Sequence, residues 1–268
     1  MKVDFHVHTT YSDGIYSVEE VLQLASNKNL KILAFTDHDN IDAYEHALKI
    51  KTNIQLICGV ELSTIYENKP VHILGYFLNN EVPIALNNFF KELKHERDVR
   101  ALKIIEKLKE VYKIEIDLKE VEKISKGVIG RPHLAQAIAN KYGLSRNEVF
   151  ERYLSNDSPV YLPPTVIDTK NGIELLKQNN AFVVLAHPSL IENLDLEIFY
   201  KMGIEGIELF HPANTKKDRK QYRKFIKEHN LRATAGSDFH GTYYQQIGTN
   251  YLLEPEIELF LNQLKKNH

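Results

Sequence analysis

An α/β fold, a closed or nearly closed β/α barrel interrupted by a helical insertion, is what the 268 residues of this chain predict. Three observations carry that prediction. Short apolar runs alternate with capped, amphipathic segments toward both ends of the chain, the pattern of strands joined by covering helices. Between residues 79 and 164 the rhythm stops and the sequence reads as almost wholly helical. Most of the apolar runs end in histidine or a carboxylate, and in a barrel the C-terminal strand ends share one mouth.

The first strand has the apolar lead-in Val3 and Phe5 and carries His6 and His8, two apart and so on one face. It runs into Ser12-Asp13-Gly14, where glycine permits a tight turn and the aspartate can swing back over the strand end. Ser17-Val18-Glu19-Glu20 has capping-box spacing and opens a helix ending near Asn29. A buried strand over 31–36 ends in Asp37-His38-Asp39, a helix over 41–51 follows, and a strand over 54–60 ends in Glu61. The run 71–77, which contains His72, is again strand-like, and the expected sheet is parallel.

Within 79–164 the expected helices are a long amphipathic one over 83–112, a short one over 117–126, another over 132–142, and a fourth capped by Ser145 and Glu148 that ends near Ser155. Mixed charges such as Lys91, Glu92, Lys94, Glu96, Arg97 and Asp98 read as a solvated face rather than a nucleic-acid surface. The barrel rhythm then returns with a helix over 168–178 and a strand over 181–186 ending in His187-Pro188. A helix to about Met202, a strand over 204–210 ending near His211 and a helix over 214–229 follow. A strand over 231–235 leads into Gly236-Ser237-Asp238-Phe239-His240, a further strand covers 248–253, and Pro255 opens the last helix. The expected domains are a barrel of 1–78 and 165–268 and an inserted domain, 79–164, that caps the substrate.

Composition is that of an ordinary globular protein, 43% hydrophobic and 26% charged. A formal net charge of −2 gives no bulk attraction to nucleic acid or anionic membranes, so an anionic ligand must be drawn by a local site. The single cysteine, Cys58, lies in an apolar run, which excludes a disulfide framework and fits a buried strand thiol. The N-terminus lacks the apolar core of a signal peptide, and no run approaches the roughly 18 apolar residues of a membrane span. A reducing, cytoplasmic setting is expected.

Collected from the strand ends, the candidate ligands are His6, His8, Asp13, His38, Glu61, His72, His187, Asp238 and His240. So many imidazoles and carboxylates in one cavity cannot be buried without partners, and metal ions are the natural ones. Nitrogen and oxygen donors without cysteine suit Zn, Mn or Fe and exclude a thiolate-bound structural zinc. There is no Gly-x-Ser-x-Gly elbow, P-loop or Gly-x-Gly-x-x-Gly, and Ser237, Asp238 and His240 stand too close in sequence to align as a triad.

His6-Val7-His8, Ser12-Asp13-Gly14, Thr36-Asp37-His38-Asp39, Gly59-Val60-Glu61, Val71-His72-Ile73-Leu74-Gly75, Ala186-His187-Pro188 and Gly236-Ser237-Asp238-Phe239-His240 together resemble the PHP (polymerase and histidinol phosphatase) family of metal-dependent phosphoesterases. The helical insertion with Gly130-Arg131-Pro132-His133 resembles the branch acting on nucleotide 5′-phosphates and 3′,5′-bisphosphates, which includes a 5′-to-3′ exoribonuclease. The resemblance implies a distorted (β/α)7 TIM-like barrel, the PHP fold, with three divalent metal ions. His6, His8, Glu61 and Asp238 would hold one ion. Glu61 would bridge to a second held by His72 and His187, and Asp13, His38 and His240 would hold the third. The branch often has a lysine where Ser158 stands in Asp157-Ser158-Pro159-Val160-Tyr161, so the resemblance does not carry that lysine's phosphate contact over to Ser158.

The activity implied is hydrolysis of phosphate monoesters of nucleotides, AMP-type or 3′,5′-bisphosphates, and of RNA 5′ ends, by attack of a metal-bridging hydroxide. Three divalent ions against three carboxylates leave roughly +3 at the site, enough to draw phosphate to an acidic chain. Arg131 precedes a proline-started helix, so its guanidinium and the helix N-terminus are expected to grip a phosphate with His133 beside them; the plain alternative is a helix start with a surface arginine. Asp4, Asp37 and Asp39 flank ligands and either orient imidazoles or serve caps and turns, and His211 either lines the pocket or is structural. His46, His95, His229 and His268 are assigned no chemistry. The competing activities are a histidinol-phosphate phosphatase and a non-catalytic PHP module of the kind attached to DNA polymerases. No membrane and no obligate protein partner is expected, and with little sequence support for a basic helix or aromatic platform, RNA would be held by its end.

Overall fold

The structure is a computed structural model that describes residues 1–77, 81, 84–125, 127, 129–163, 166–241, 246–248 and 252–265. Among the described residues the eight strands are β1 (Val3–Val7), β2 (Ile32–Phe35), β3 (Gln55–Tyr66), β4 (Lys69–Phe77), β5 (Ile167–Asp168), β6 (Ala181–Leu185), β7 (Gly206–Phe210) and β8 (Arg232–Ala235). They form one sheet in the order β1-β2-β3-β4-β6-β7-β8, with β5 against β3. The open side is spanned where Val7 bridges Phe239 and the His8 N–H donates to the Phe239 carbonyl at 2.9 Å. The result is the nearly closed, mixed α/β barrel that the sequence predicts.

Helices α1 (Val18–Asn27) and α2 (Asp42–Ala47) cross between the first strands. Next come α3 (Ile84–Tyr112), α4 (Leu118–Ser125), α5 (Arg131–Tyr142) and α6 (Arg146–Val149), which runs into a π-helical turn at Phe150–Leu154. The barrel resumes with α7 (Thr169–Gln178), α8 (Leu196–Met202), α9 (Lys216–Glu228) and α10 (Glu254–Leu264). Local chemistry sets several boundaries: Ser17 and Glu20 form the expected capping box of α1, Ser145 and Glu148 that of α6, and Asp168 caps α7.

One expectation is corrected. The sheet is not all parallel, because β4 runs antiparallel to both β3 and β6. Glu67 and Asn68 take positive φ, 48° and 62°, in a two-residue loop between the paired residues Tyr66 and Lys69, and such a turn makes a hairpin. β3 therefore continues past residue 60, and Glu61 sits within a strand rather than at its end. The last expected strand, 248–253, falls largely on 249–251, outside the described residues, as do the expected domain junctions at 78–79 and 164–165, the helix-end residue 126 and residue 268.

Barrel and insertion each bury their own apolar residues. Phe5, Tyr76, Leu185, Ile207 and Phe260 belong to the barrel core, while Ile104, Leu108, Val121, Leu134, Ile138 and Val160 pack together in the helical segment. Helix α3 belongs to both, since Leu86 and Phe90 near its start join the barrel core and Ile104 and Leu108 join the other. Two further contacts fasten the segment. Arg97 of α3 pairs with the buried Asp39 after β2, and Gly127 lies so close to the Tyr11 backbone that any Cβ there would collide with it. The helical segment thus lies against the loops at the mouth of the barrel.

Candidate metal centre

Two irregularities in the sheet coincide with the site. The register of β1 on β2 shifts between Asp4 and Val7, and that of β7 on β8 between Glu208 and Phe210. Breaks of this kind re-aim side chains at barrel rims. Here they turn His6 and Glu208 toward each other, with His6 Nδ1 3.0 Å from Glu208 Oε1. Gly236 makes the approach possible, because a Cβ there would collide with both side chains.

All nine ligand candidates converge. His6, His8, Glu61 and Asp238 bring four donor atoms together: His6 Nε2 lies 3.1 Å from His8 Nε2, 3.2 Å from Glu61 Oε2 and 3.3 Å from Asp238 Oδ1. His8 Nε2 lies 3.1 Å from Glu61 Oε2 and 3.2 Å from Asp238 Oδ1. A tetrahedral ion with ligands at about 2.0 Å needs donors about 3.3 Å apart, which is the spacing found. The other oxygen of Glu61 faces the opposite way, with Oε1 2.8 Å from His187 Nε2 and 3.0 Å from His72 Nδ1. One carboxylate therefore stands between two groups of imidazoles.

His72 reaches this point because β4 is antiparallel. Its partner across the hairpin is Ser63, two residues beyond Glu61, so the mouth lies toward the start of β4 rather than its end. Around Asp13 a third group gathers. His240 Nε2 is 3.0 Å and His8 Nδ1 3.5 Å from Oδ1, and His38 Nε2 is 3.8 Å from Oδ2. His38 also turns Nδ1 toward Glu61 Oε2 at 3.2 Å, so it lies between two groups.

The electrostatics are those of a site built for cations. Burial alone would lower the imidazole pKa values of His6 and His8, but neighbouring carboxylates outweigh it: His6 is raised by Glu61, Glu208 and Asp238, and His8 is pushed up to about 10 through Asp238 and Glu61. Burial would raise Glu61, Asp13 and Asp238, and the surrounding imidazoles instead hold all three below the usual carboxylate range. His38 goes the other way, lowered by burial to about 4. Among the described residues, the buried Glu61 Oε2 and His38 Nδ1 have no hydrogen-bond partner. An unsatisfied oxygen amid imidazoles, with nitrogen and oxygen donors only, fits divalent Zn, Mn or Fe.

Several neighbours complete the cage. Glu208 is fully buried on β7, and besides facing His6 it accepts the His187 N–H at 2.7 Å through Oε2. The strand-end pattern of the sequence does not reveal it, because it lies inside a strand. The available signal was a lone carboxylate inside the apolar run Ile207-Glu208-Leu209, which has to find a partner. His211 is buried, takes the Ala213 N–H on Nδ1 at 3.1 Å and so presents a protonated Nε2 to Asp238 Oδ2 at 3.4 Å. His187, Asp238 and Asp39 hold positive φ of 26°, 51° and 50°, backbone strain of the kind found at functional sites.

The three flanking aspartates act on backbone and loops, and among the described residues none holds an imidazole ring. Asp4 accepts the backbone N–H groups of His6, Ser237 and Gly248; Asp37 accepts the Thr9 N–H and the Thr9 and Ser12 hydroxyls; Asp39 accepts the Ser63 N–H and pairs with Arg97.

Arg131 and His133 lie on the helical segment. The Arg131 guanidinium sits over the faces of Phe150 and Tyr161, and its Nη1 donates to the Leu154 carbonyl at 3.0 Å and to Asn156 Oδ1 at 2.8 Å. Nε and Nη2 have no hydrogen bond among the described residues. The start of α5 has little to give an anion, since Pro132 has no N–H and the Gly130 N–H is taken by His133 Nδ1 at 3.0 Å. His133 is buried, which lowers its pKa, and the charge of Asp13 acts against that shift. Ser158 turns inward, its hydroxyl donating to the Tyr153 carbonyl at 2.6 Å.

A family model described as PHP domain matches residues 4–251. A 5′-3′ exoribonuclease of Haemophilus influenzae is 29% identical over 250 residues, covering 89% of this chain and 90% of the relative. A 3′,5′-nucleoside bisphosphate phosphatase of Chromobacterium violaceum is 28% identical over 250 residues, covering 89% and 87%. The crystal structure of a metal-dependent phosphoesterase from Bifidobacterium adolescentis superposes with a TM-score of 0.86 at 25% identity, covering 99% of this chain and 96% of that one.

Proposed function

From the premise that this chain belongs to the PHP domain family of metal-dependent phosphoesterases, we propose that it hydrolyses phosphate esters of nucleotides, AMP-type or 3′,5′-bisphosphates, and of RNA 5′ ends, at a centre of three divalent ions. The observation that carries this is the Glu61 carboxylate set between two groups of imidazoles, with a third group around Asp13. His6, His8, Glu61 and Asp238 would hold one ion, Glu61, His72 and His187 a second, and Asp13, His38 and His240 a third. When bound, such ions lower the pKa of water and neutralise phosphoryl oxygens.

The chain's own contribution is position and charge. Glu208 holds the proton of His6 on Nδ1, which leaves the Nε2 lone pair facing the centre. His211 steadies Asp238 from the far side. Arg131, with Nε and Nη2 free to donate, is assigned to a substrate phosphate, and His133 to the same side of the mouth; the helix N-terminus is not. The helical segment, anchored through Arg97 and Gly127, would close over the base. We assign the reaction to a reducing compartment, the cytoplasm, a reading supported by a sequence whose single cysteine, Cys58, is buried; no helix among the described residues is long and apolar enough to cross a membrane.

The test is a substrate panel for the metal-loaded protein: AMP, a 3′,5′-bisphosphate, histidinol phosphate and 5′-phosphorylated RNA, with metal content measured alongside. Turnover of at least one nucleotide substrate well above histidinol phosphate is expected. Turnover of histidinol phosphate alone would replace the proposal with its rival, and a metal-free, inactive protein would point to a non-catalytic module.

A further inference from the structure

We infer that the outer face of α9 is a track for the sugar-phosphate backbone of single-stranded RNA, leading away from the metal centre; this rests on the proposed nucleic-acid substrate. Seven of the thirteen residues of α9 are lysine or arginine against two acids, a local +5 on a chain whose formal net charge is −2. At about 100° per residue, Lys216, Lys217, Lys220, Arg223, Lys224 and Lys227 fall within an arc of about 120° and form one stripe. All six are exposed. The opposite side, Tyr222, Phe225 and Ile226, packs against the barrel.

A solvated helix face normally pairs its charges with acids three or four residues away. Here Lys224 pairs with Glu228 at 3.6 Å and Arg223 with Glu256 at 2.9 Å, while Lys216, Lys217, Lys220 and Lys227 form no ion pair with any described residue. Four cations without an ion-pair partner among the described residues, spread over about 17 Å of helix, suit a flexible polyanion better than a single phosphate. A membrane-binding helix would turn its apolar side outward, and this one buries it.

The stripe also begins in the right place. Helix α9 follows β7 through the loop 211–215, and His211 in that loop contacts Asp238. Asn214 pins the loop to the strand, donating to the Glu208 carbonyl at 2.9 Å and the Leu209 carbonyl at 3.1 Å. Lys216 and Lys217 are thus the mouth-side end of the stripe, and the rest descends the outer wall of the barrel. An RNA with its 5′ end at the metals would lay the following phosphates along it.

The test compares the metal-loaded parent with a variant carrying Lys216→Glu, Lys217→Glu, Lys220→Glu and Lys227→Glu, and with the Lys→Gln version should the first fold poorly. Binding is read by fluorescence anisotropy with an RNA of about 12 nucleotides, 3′-labelled and linked by phosphorothioates so that it keeps its charge and resists hydrolysis. Affinity at low salt should fall at least tenfold, and the slope of log K against log salt should become shallower by about 3, some 0.7 for each phosphate that the variant no longer neutralises. Hydrolysis of a mononucleotide should not change. Equal affinity and slope in parent and variant, or parent binding to phosphatidylserine vesicles without binding to RNA, overturns the inference. Mononucleotide turnover reports separately on the proposed activity: an inactive parent whose RNA binding still depends on α9 sinks that activity and leaves the track standing.

Discussion

Glu208 shows how much a single residue outside the nine ligand candidates can control. Burial would raise its pKa, but the imidazoles of His6, His211 and His187 hold it ionised, and its two oxygens serve His6 Nδ1 and the His187 N–H at once. A carboxylate that fixes the tautomer of a metal-binding histidine typically contributes 10–100-fold to metal affinity or activity. Glu208→Gln keeps the shape and removes the charge, so metal affinity and kcat/KM are expected to drop by roughly that factor while the fold is retained. Metal titration together with circular dichroism checks this; unchanged affinity would reduce Glu208 to a packing residue.

At the scale of elements, the antiparallel β4 and the long helix α3 decide what the mouth contains. Without the hairpin at Glu67 and Asn68, His72 would leave β3 by a crossover and arrive at the mouth only at the far end of a parallel strand. Helix α3 carries Arg97 to Asp39, whose carboxylate is almost wholly buried next to His38. Removing one partner of a buried pair strands the other charge, at a cost of about 3 kcal/mol or more. Arg97→Ala is therefore expected to lower the unfolding free energy by about that amount, with the double variant Arg97→Ala/Asp39→Asn recovering part of it, as measured by urea denaturation. A double variant no more stable than the single one would show that the pair itself is not what α3 contributes.

For the whole molecule, the candidate metal centre links stability to pH. In the metal-free protein His6 and His8 are raised, so their protonated forms stabilise the fold; this contribution is complete below the ordinary imidazole value and is lost as pH rises through their raised values, about 10 for His8. Glu61, Asp13 and Asp238 are depressed, so theirs is present above about pH 4.5 and lost on acidification. His38, lowered to about 4, works against folding once the ordinary imidazole protonates, and it moderates the acid side. The chelated protein should thus have its highest Tm between about pH 5 and 7 and lose stability toward pH 10. Bound ions need deprotonated imidazoles, so the metal-loaded Tm should instead rise from about pH 6 to 8. Thermal scans with and without chelator test this, and parallel pH profiles would count against it.

The sequence by itself determined the barrel rhythm, the helix caps and the nine clustered ligand candidates, because periodicity, capping chemistry and the residue types that hold metals are local properties of the chain. It also contained the lysines of α9, but only the fold shows that their apolar side is covered and that His211, in the loop ahead of the helix, contacts Asp238. The direction of β4, the pairing of Glu208 with His6 across 202 residues and the engagement of Arg131 by Phe150, Tyr161, Leu154 and Asn156 were decided by tertiary structure. Each depends on which distant groups share a space, and a buried charge or an open backbone edge takes the partner that packing brings to it.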